Sequence, residues 1–303
     1  MKRVLVTGAT GFIGRQSLLP LLEHGFEVHA LYARKPIEAD PRIIWHAADL
    51  LKKDCASNLC AAIRSSHLLH FAWYVDPKDY KTSPENSLWV KATLSLVQAF
   101  KENGGTRAVL AGSCMEYDWA IPQNAFAENS SPVAPTTVYG KAKNETRLLA
   151  EKYAYENDFS LAWGRIFFLY GPHEAPGRLV PYVINALLSD MPALCTSGEQ
   201  IRDYSHVGDV GAAFAALLDS NVAGAVNIGS GHDMVLKDIL FTIGDMLGKR
   251  DLIKLGARPT VKGEPPCIVA DIRRLTDEVG WRPLITVEEG LRTTIDWWRK
   301  NKA

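Results

Sequence analysis

The segment "VLVTGATGFIG", residues 4–14, sets an aliphatic run directly against a turn that holds Gly8, Gly11 and Gly14. An uninterrupted apolar run reads as a strand covered on both faces, the condition of a parallel sheet. Glycines then let the backbone turn tightly and come close to a neighbour. The following "RQSLLPLLEHG" carries leucines at helical spacing and stops at Gly25, and "FEVHALYA" reads as a second strand. Strand, glycine turn, helix and strand make a βαβ unit, and the N–H groups at its helix start favour an anion, most naturally phosphate. The spacing here is G-x-x-G-x-x-G after Thr7, in keeping with dinucleotide-binding logic.

The alternation continues. "RIIWHAADL", "HLLHFAW", "RAVLAGS" and "SLAWGRIFFLY" are strand-like, and "SLWVKATLSLVQAFKENGG" and "VYGKAKNETRLLAEKYAYEND" are helical. That order predicts an α/β chain, a Rossmann-type doubly wound parallel sheet. From Gly171 the pattern loosens around Pro172, Pro176, Pro181 and Pro192, which marks a smaller C-terminal α/β subdomain that would bind substrate. Its expected helices are "RLVPYVINALLSD", "LKDILFTIGDMLG" and "VEEGLRTTIDWWRK", the last with Trp297 and Trp298 as packing residues, while "GAVNIGS" is placed to return to the sheet. The predicted division is a dinucleotide-binding domain over 1–170 with 205–230 returning to it, and a substrate-binding subdomain over 171–204 and 231–303, with a ligand cleft between them.

Charge narrows the partners. Lys plus Arg and Asp plus Glu are equal at 34 each, so no net field recruits nucleic acid or an acidic membrane. No apolar run approaches a membrane span and no signal peptide precedes the first strand, so a cytoplasmic location is expected. Five scattered cysteines without a C-x-x-C pair suit reduced thiols, and no metal is expected.

Reactive chemistry begins at "VYGKAKNE". Tyr139 and Lys143 are four apart in a helical stretch and share one face. A cation beside a phenol favours phenolate, and the lysine ammonium together with a positive nicotinamide ring would lower its pKa and make Tyr139 an acid/base able to exchange a proton with a sugar hydroxyl or carbonyl. Ser113, just past a strand end in "VLAGSCMEYDW", could bond the same reacting oxygen.

The ordered set "TGATGFIG", "ADL" at 48–50, "SCMEY" at 113–117, "YGKAK" at 139–143, "GRIFFLYGP" at 164–172 and "IRDYSHVGDV" at 201–210 resembles an extended short-chain dehydrogenase/reductase. More narrowly, it is similar to the nucleotide-sugar epimerase/dehydratase/reductase group. The resemblance implies Ser113, Tyr139 and Lys143 as catalytic residues. It implies a cofactor site made by Gly8, Thr10, Gly11, Phe12, Ile13 and Gly14 at the pyrophosphate, Asp49 and Leu50 at the adenine, and Ala72, Tyr139 and Lys143 further along. His70 and Ala72 stand where the family's strand end lies along the cofactor. The small residue usual after them is Trp73 here, a bulk that would reshape the sugar pocket. Arg202, assisted by Arg178, is expected on the substrate diphosphate, since Phe168 replaces the family's common Asn. His206 and Asp209 are expected to brace their loop.

Two departures bear on cofactor and reaction. NAD-using relatives place an acidic residue at the end of the second strand, where this chain has Tyr32, followed by Arg34 and Lys35. These cations could hold the extra phosphate of NADP(H), which is therefore favoured over NAD(H). The dehydratases' Thr-Asp-Glu run is Ser113, Cys114 and Met115 here, and Glu116, read on a strand, points away from the Met115 face. The expected activity is NADPH-dependent reduction of a nucleotide-linked 4-keto-6-deoxy sugar. The alternatives are a redox-neutral NAD-dependent nucleotide-sugar 4-epimerase and a dinucleotide-sensing regulatory protein on the same fold. A homodimer through the helices around 88–103 and 140–157 is also expected.

Overall fold

The computed structural model describes residues 2–260 and 263–301, so the expected domain limits at 1 and 303 fall outside it. The first half runs β1 (Arg3–Thr7), α1 (Gly14–Glu23), β2 (Glu27–Tyr32), β3 (Ile44–Ala47), α2 (Cys55–Ile63), β4 (His67–His70), α3 (Glu85–Glu102), β5 (Arg107–Ser113), α4 (Val138–Glu156) and β6 (Ser160–Ile166). The second half runs β7 (Phe168–Tyr170), α5 (Leu179–Leu188), β8 (Ala193–Leu194), β9 (Ile201–Arg202), β10 (Tyr204–His206), α6 (Val207–Asp219), β11 (Gly224–Ile228), β12 (Met234–Val235), α7 (Leu236–Leu247), β13 (Ile253–Lys254), β14 (Cys267–Ile268) and α8 (Val287–Lys300).

Seven strands form one sheet in the order β11-β6-β5-β4-β1-β2-β3, every pair parallel. The two-residue period of β1 and β5 divides the core. Val4, Val6, Val109 and Ala111 face the α1 and α6 side with Leu18, Leu21, Phe214 and Leu217. Leu5, Ala108 and Leu110 face the α2, α3 and α4 side with Cys60, Leu96, Phe100 and Ala150. The strand order reverses between β1 and β4, the switch point at which an open α/β sheet leaves a crevice at its carboxyl edge. β11 adds to this sheet beside β6, register Gly224↔Ala162 to Ile228↔Ile166.

The remaining helices α5, α7 and α8 close a separate core of Val183, Ile184, Leu187, Ile239, Ile243, Leu291, Ile295 and Trp298. Trp298 is buried there, while Trp297 sits at its margin against His173. Short pairings accompany this unit: β9 between β12 and β14, and β8 with β13.

Two expected strands differ in the structure. "SLAWGRIFFLY" divides, with β6 in the main sheet and β7 paired instead to β10. The break falls at Phe167, whose buried ring packs with Cys114, Tyr117 and Phe126 and whose N–H donates to the Ile228 carbonyl at 3.0 Å. Cys114–Glu116 is a 3-10 turn, not a strand. The Ser113 hydroxyl accepts from the Met115 N–H, and the Glu116 carboxylate accepts from the Ser113 N–H, a capping box that stops β5 there.

Candidate active site

The glycine turn is built by close contacts. Gly8 has φ +66°, and a Cβ on it would stand 2.7 Å from the Ala72 backbone nitrogen after β4. A Cβ on Gly14 would lie 2.2 Å from the Gly8 carbonyl oxygen, and the Gly11 N–H donates to that oxygen at 2.9 Å. Gly8 and Gly14 therefore serve the packing of the turn against itself and against β4, while Gly11 is exposed. Helix α1 starts at Gly14 with no side-chain cap on Ile13 and no acidic residue in its first turn, which leaves its positive end available to an anion. Thr10 and Phe12 complete this turn, and the Arg15 guanidinium donates to the Thr10 carbonyl at 2.9 Å.

The other residues expected at a dinucleotide lie at or after the carboxyl ends of β2, β3 and β4. Asp49 is exposed after β3 and its carboxylate accepts from the Leu51 N–H, while Leu50 is buried against the α2 and α3 core. Ala72 donates to the Thr7 hydroxyl at 3.3 Å. His70 is buried between Thr7 (2.7 Å) and Thr93 (2.9 Å), and burial, with the Lys143 charge second, pushes its pKa down to about 3. Arg34 and Lys35 are exposed on the segment after β2, and Tyr32, at the end of that strand, packs edge-on against Trp45.

Ser113, Tyr139 and Lys143 meet at the carboxyl end of β5. Helix α4 comes close because Gly140 lacks a side chain: a Cβ there would be 2.4 Å from the Met115 carbonyl oxygen. Thr137 caps the helix by accepting from the Gly140 N–H at 3.0 Å. The Lys143 ammonium donates to the Ala111 carbonyl at 2.9 Å and stands 3.7 Å from the Trp73 ring centroid. Burial lowers its pKa to about 7, against a smaller upward pull from Glu116.

Burial also raises the Tyr139 phenol above its usual value, with Tyr80 and Glu116 adding to the rise and a hydrogen bond to Ser113 opposing it. The lowering expected from Lys143 together with the nicotinamide ring belongs to the cofactor-bound site; in the protein alone, burial of a phenol that is 8 % exposed raises it, and Tyr139 keeps its proton at neutral pH.

Glu116 belongs to the support of this site. Its carboxylate is fully buried and accepts from Arg165 at 2.9 Å, Trp163 at 2.8 Å and the Ser113 N–H at 2.8 Å. Trp163 leaves no room over Gly112, where a Cβ would be 2.1 Å from the indole nitrogen.

An aromatic wall closes over Tyr139. Tyr80 meets it edge to face at 5.1 Å and Trp73 at 6.5 Å between ring centroids. Asn86 ties both: its carbonyl accepts from the Trp73 indole N–H at 2.8 Å, and its amide donates to the Tyr80 carbonyl at 2.8 Å. The sequence reading missed Tyr80 and Asn86, because no local spacing joins a loop residue to the start of a helix.

The two arginines differ. Arg178, the residue before α5, donates to the Tyr80 hydroxyl at 3.4 Å and lies over its ring at 4.9 Å. Next to it Glu174, also unsignalled by the sequence, is a buried carboxyl pushed up to about 8 by burial. Arg202 is 3 % exposed, donates to the Ile201 carbonyl, pairs with Glu264 at 2.7 Å and lies over Phe168 at 5.5 Å. A ligand that reaches it has to displace Glu264. Asp203 and Asp209, its neighbours in sequence, are engaged elsewhere: Asp203 accepts from Ser230 and Gly231, and Asp209 from the Leu284 and Ile285 N–H groups.

With this geometry in place, the comparisons with known proteins agree on one family. Residues 4–229 match the family model of the NAD dependent epimerase/dehydratase family. UDP-glucuronic acid decarboxylase 1 of Xenopus tropicalis is 27% identical over 310 residues, covering 99% of this chain and 72% of that protein. The UDP-glucose 4-epimerase of Thermus thermophilus, solved in complex with NAD, is 26% identical with a TM-score of 0.86, covering 98% and 99% of the two chains. DesIV, the dTDP-glucose 4,6-dehydratase of Streptomyces venezuelae solved with NAD, is 26% identical with a TM-score of 0.85, covering 99% and 98%.

Proposed function

Because the chain belongs to the NAD dependent epimerase/dehydratase family, we propose that it is a nucleotide-sugar oxidoreductase and that it reduces a keto group, the 4-keto group of a 6-deoxy sugar, at the expense of NAD(P)H. The observation that carries this reading is the convergence of Ser113, Tyr139 and Lys143 at the end of β5, with Cys114 and Met115 where a dehydratase has its acids.

The residues fit a dinucleotide. The glycine turn and the uncapped start of α1 receive the pyrophosphate, Asp49 and Leu50 border the adenine, and Arg34 and Lys35 take the extra phosphate of NADPH in preference to NADH. When bound, the cofactor supplies the hydride. Tyr139 gives its proton to the sugar oxygen as the carbonyl carbon is reduced, so that C=O becomes CH–OH. Ser113 donates a hydrogen bond to that oxygen. Lys143, with one of three donors spent on Ala111, has donors left for the ribose. Arg178 holds the substrate diphosphate, and Arg202 joins it where Glu264 yields.

The alternative is a redox-neutral 4-epimerase, which the names of several relatives favour. The test mixes purified protein with NADPH or NADH and a panel of nucleotide 4-keto-6-deoxy sugars. Loss of reduced-cofactor absorbance is expected, falling about a hundredfold or more in Tyr139→Phe. No loss with any substrate, together with interconversion of UDP-sugars, selects the epimerase. A dimer is part of the proposal: Leu88, Leu148, Leu149 and Tyr155 are exposed on α3 and α4, and solution mass measurement tests it.

A further inference from the structure

We propose that Trp73 is a positioning residue for Lys143: its indole face holds the ε-ammonium at the end of β5, beside Tyr139, before any ligand arrives. The inference rests on the reading above that Lys143 serves the cofactor and the phenol.

The geometry is specific. Nζ lies 3.7 Å from the Trp73 ring centroid and 5.8 Å from that of Tyr139, with one N–H on the Ala111 carbonyl. Both Lys143 and Trp73 are buried, and a desolvated ammonium over an indole is the strong form of the cation–π contact. The ring is anchored at its other end by its N–H on Asn86, whose amide donates to the Tyr80 and Ser83 carbonyls. Rotating the indole away therefore costs a buried hydrogen bond.

The surrounding groups do not replace this contact. From β4, His70 is kept neutral by burial. From the turn after β5, Glu116 supplies negative charge but is held by Arg165. On α4 itself, Tyr139 keeps its proton. Beside the more remote pull of Glu116, the electron-rich face of Trp73 and the Ala111 carbonyl are the groups in direct contact with the cation. Trp73 thereby sets where the lysine stands and how readily it stays charged, whatever it contributes to the sugar pocket.

The test reads the lysine directly, by NMR of the cofactor-free protein labelled with 13C and 15N lysine. In the wild type the Lys143 ε-methylene protons should be displaced upfield by the indole ring current, an observation that needs no variant to fold. In Trp73→Leu the displacement should vanish and the Lys143 titration midpoint should fall by about one pH unit. Trp73→Phe, which keeps a π face, should retain most of both. Undisplaced protons in the wild type, or one midpoint shared by wild type and Trp73→Leu, overturn the proposal. The functional reading fails separately, if Lys143→Ala turns over normally.

Discussion

Arg178 reaches from the start of α5 to the hydroxyl of Tyr80, Nη1 to Oη 3.4 Å, and so joins the C-terminal helical unit to the loop that covers Tyr139. The contact places a cation on Tyr80, the ring that packs edge to face against the acid/base of the proposed reaction. If Arg178 binds the substrate diphosphate, Arg178→Ala should raise the Michaelis constant for the nucleotide sugar by about ten- to a hundredfold, the scale of a lost charge-assisted contact. Affinity for NADPH, measured by calorimetry, should stay unchanged; equal losses of both would place the arginine elsewhere.

Arg34→Ala addresses cofactor choice. The side chain is exposed after β2, so its removal should leave the melting temperature unaltered. NADPH binding should weaken about tenfold or more while NADH binding hardly moves. Parallel losses for the two cofactors would show that Arg34 does not read the extra phosphate.

Gly14→Ala should damage the fold at the site where it is most needed. Its new Cβ would meet the Gly8 carbonyl oxygen at 2.2 Å, and that oxygen is backbone and not the end of a flexible side chain, so the turn or α1 has to shift. We expect a loss of about 1–3 kcal/mol in urea unfolding together with weaker dinucleotide binding. Gly25→Ala is the control for crowding, since nothing stands within 4 Å of its Cβ position, although its φ of +77° makes a smaller loss expected there too.

Glu116→Ala should cost more. It removes the fully buried carboxylate that pairs with Arg165 at 2.9 Å and accepts from Trp163 and the Ser113 N–H. An uncompensated buried arginine is worth about 3–5 kcal/mol of destabilisation. Chemical denaturation measures it, and a loss under about 1 kcal/mol would mean that solvent reaches Arg165.

Lys143→Met offers a test of sign. Burial depresses the lysine from its usual 10.5 to about 7, so between these values the unfolded chain binds the extra proton. Its penalty on the wild type is complete below about pH 7 and has gone above about 10.5. The stability advantage of Lys143→Met should therefore grow as the pH falls from 10.5 to 7 and level off below, in urea titrations of the cofactor-free protein. An advantage independent of pH would show that Lys143 titrates normally.

What the sequence determined by itself was whatever depends on neighbours within a few residues. The run before Gly8, the alternation through Val109, Leu110 and Ala111, and the four-residue step from Tyr139 to Lys143 follow from local periods, and they made the parallel sheet, its helices and one shared helix face legible. Tertiary structure decided the rest. Phe167 divides an apparently continuous strand because its ring packs with residues from three distant segments. Glu116 became a buried partner of Arg165 because a capping box turns the chain there. The packing around Tyr139 and Lys143 comes from Trp73, Tyr80 and Asn86, which approach from a loop and the start of a helix more than 50 residues upstream. Electrostatic state follows from what surrounds a group in space, and burial by such neighbours is absent from any local pattern.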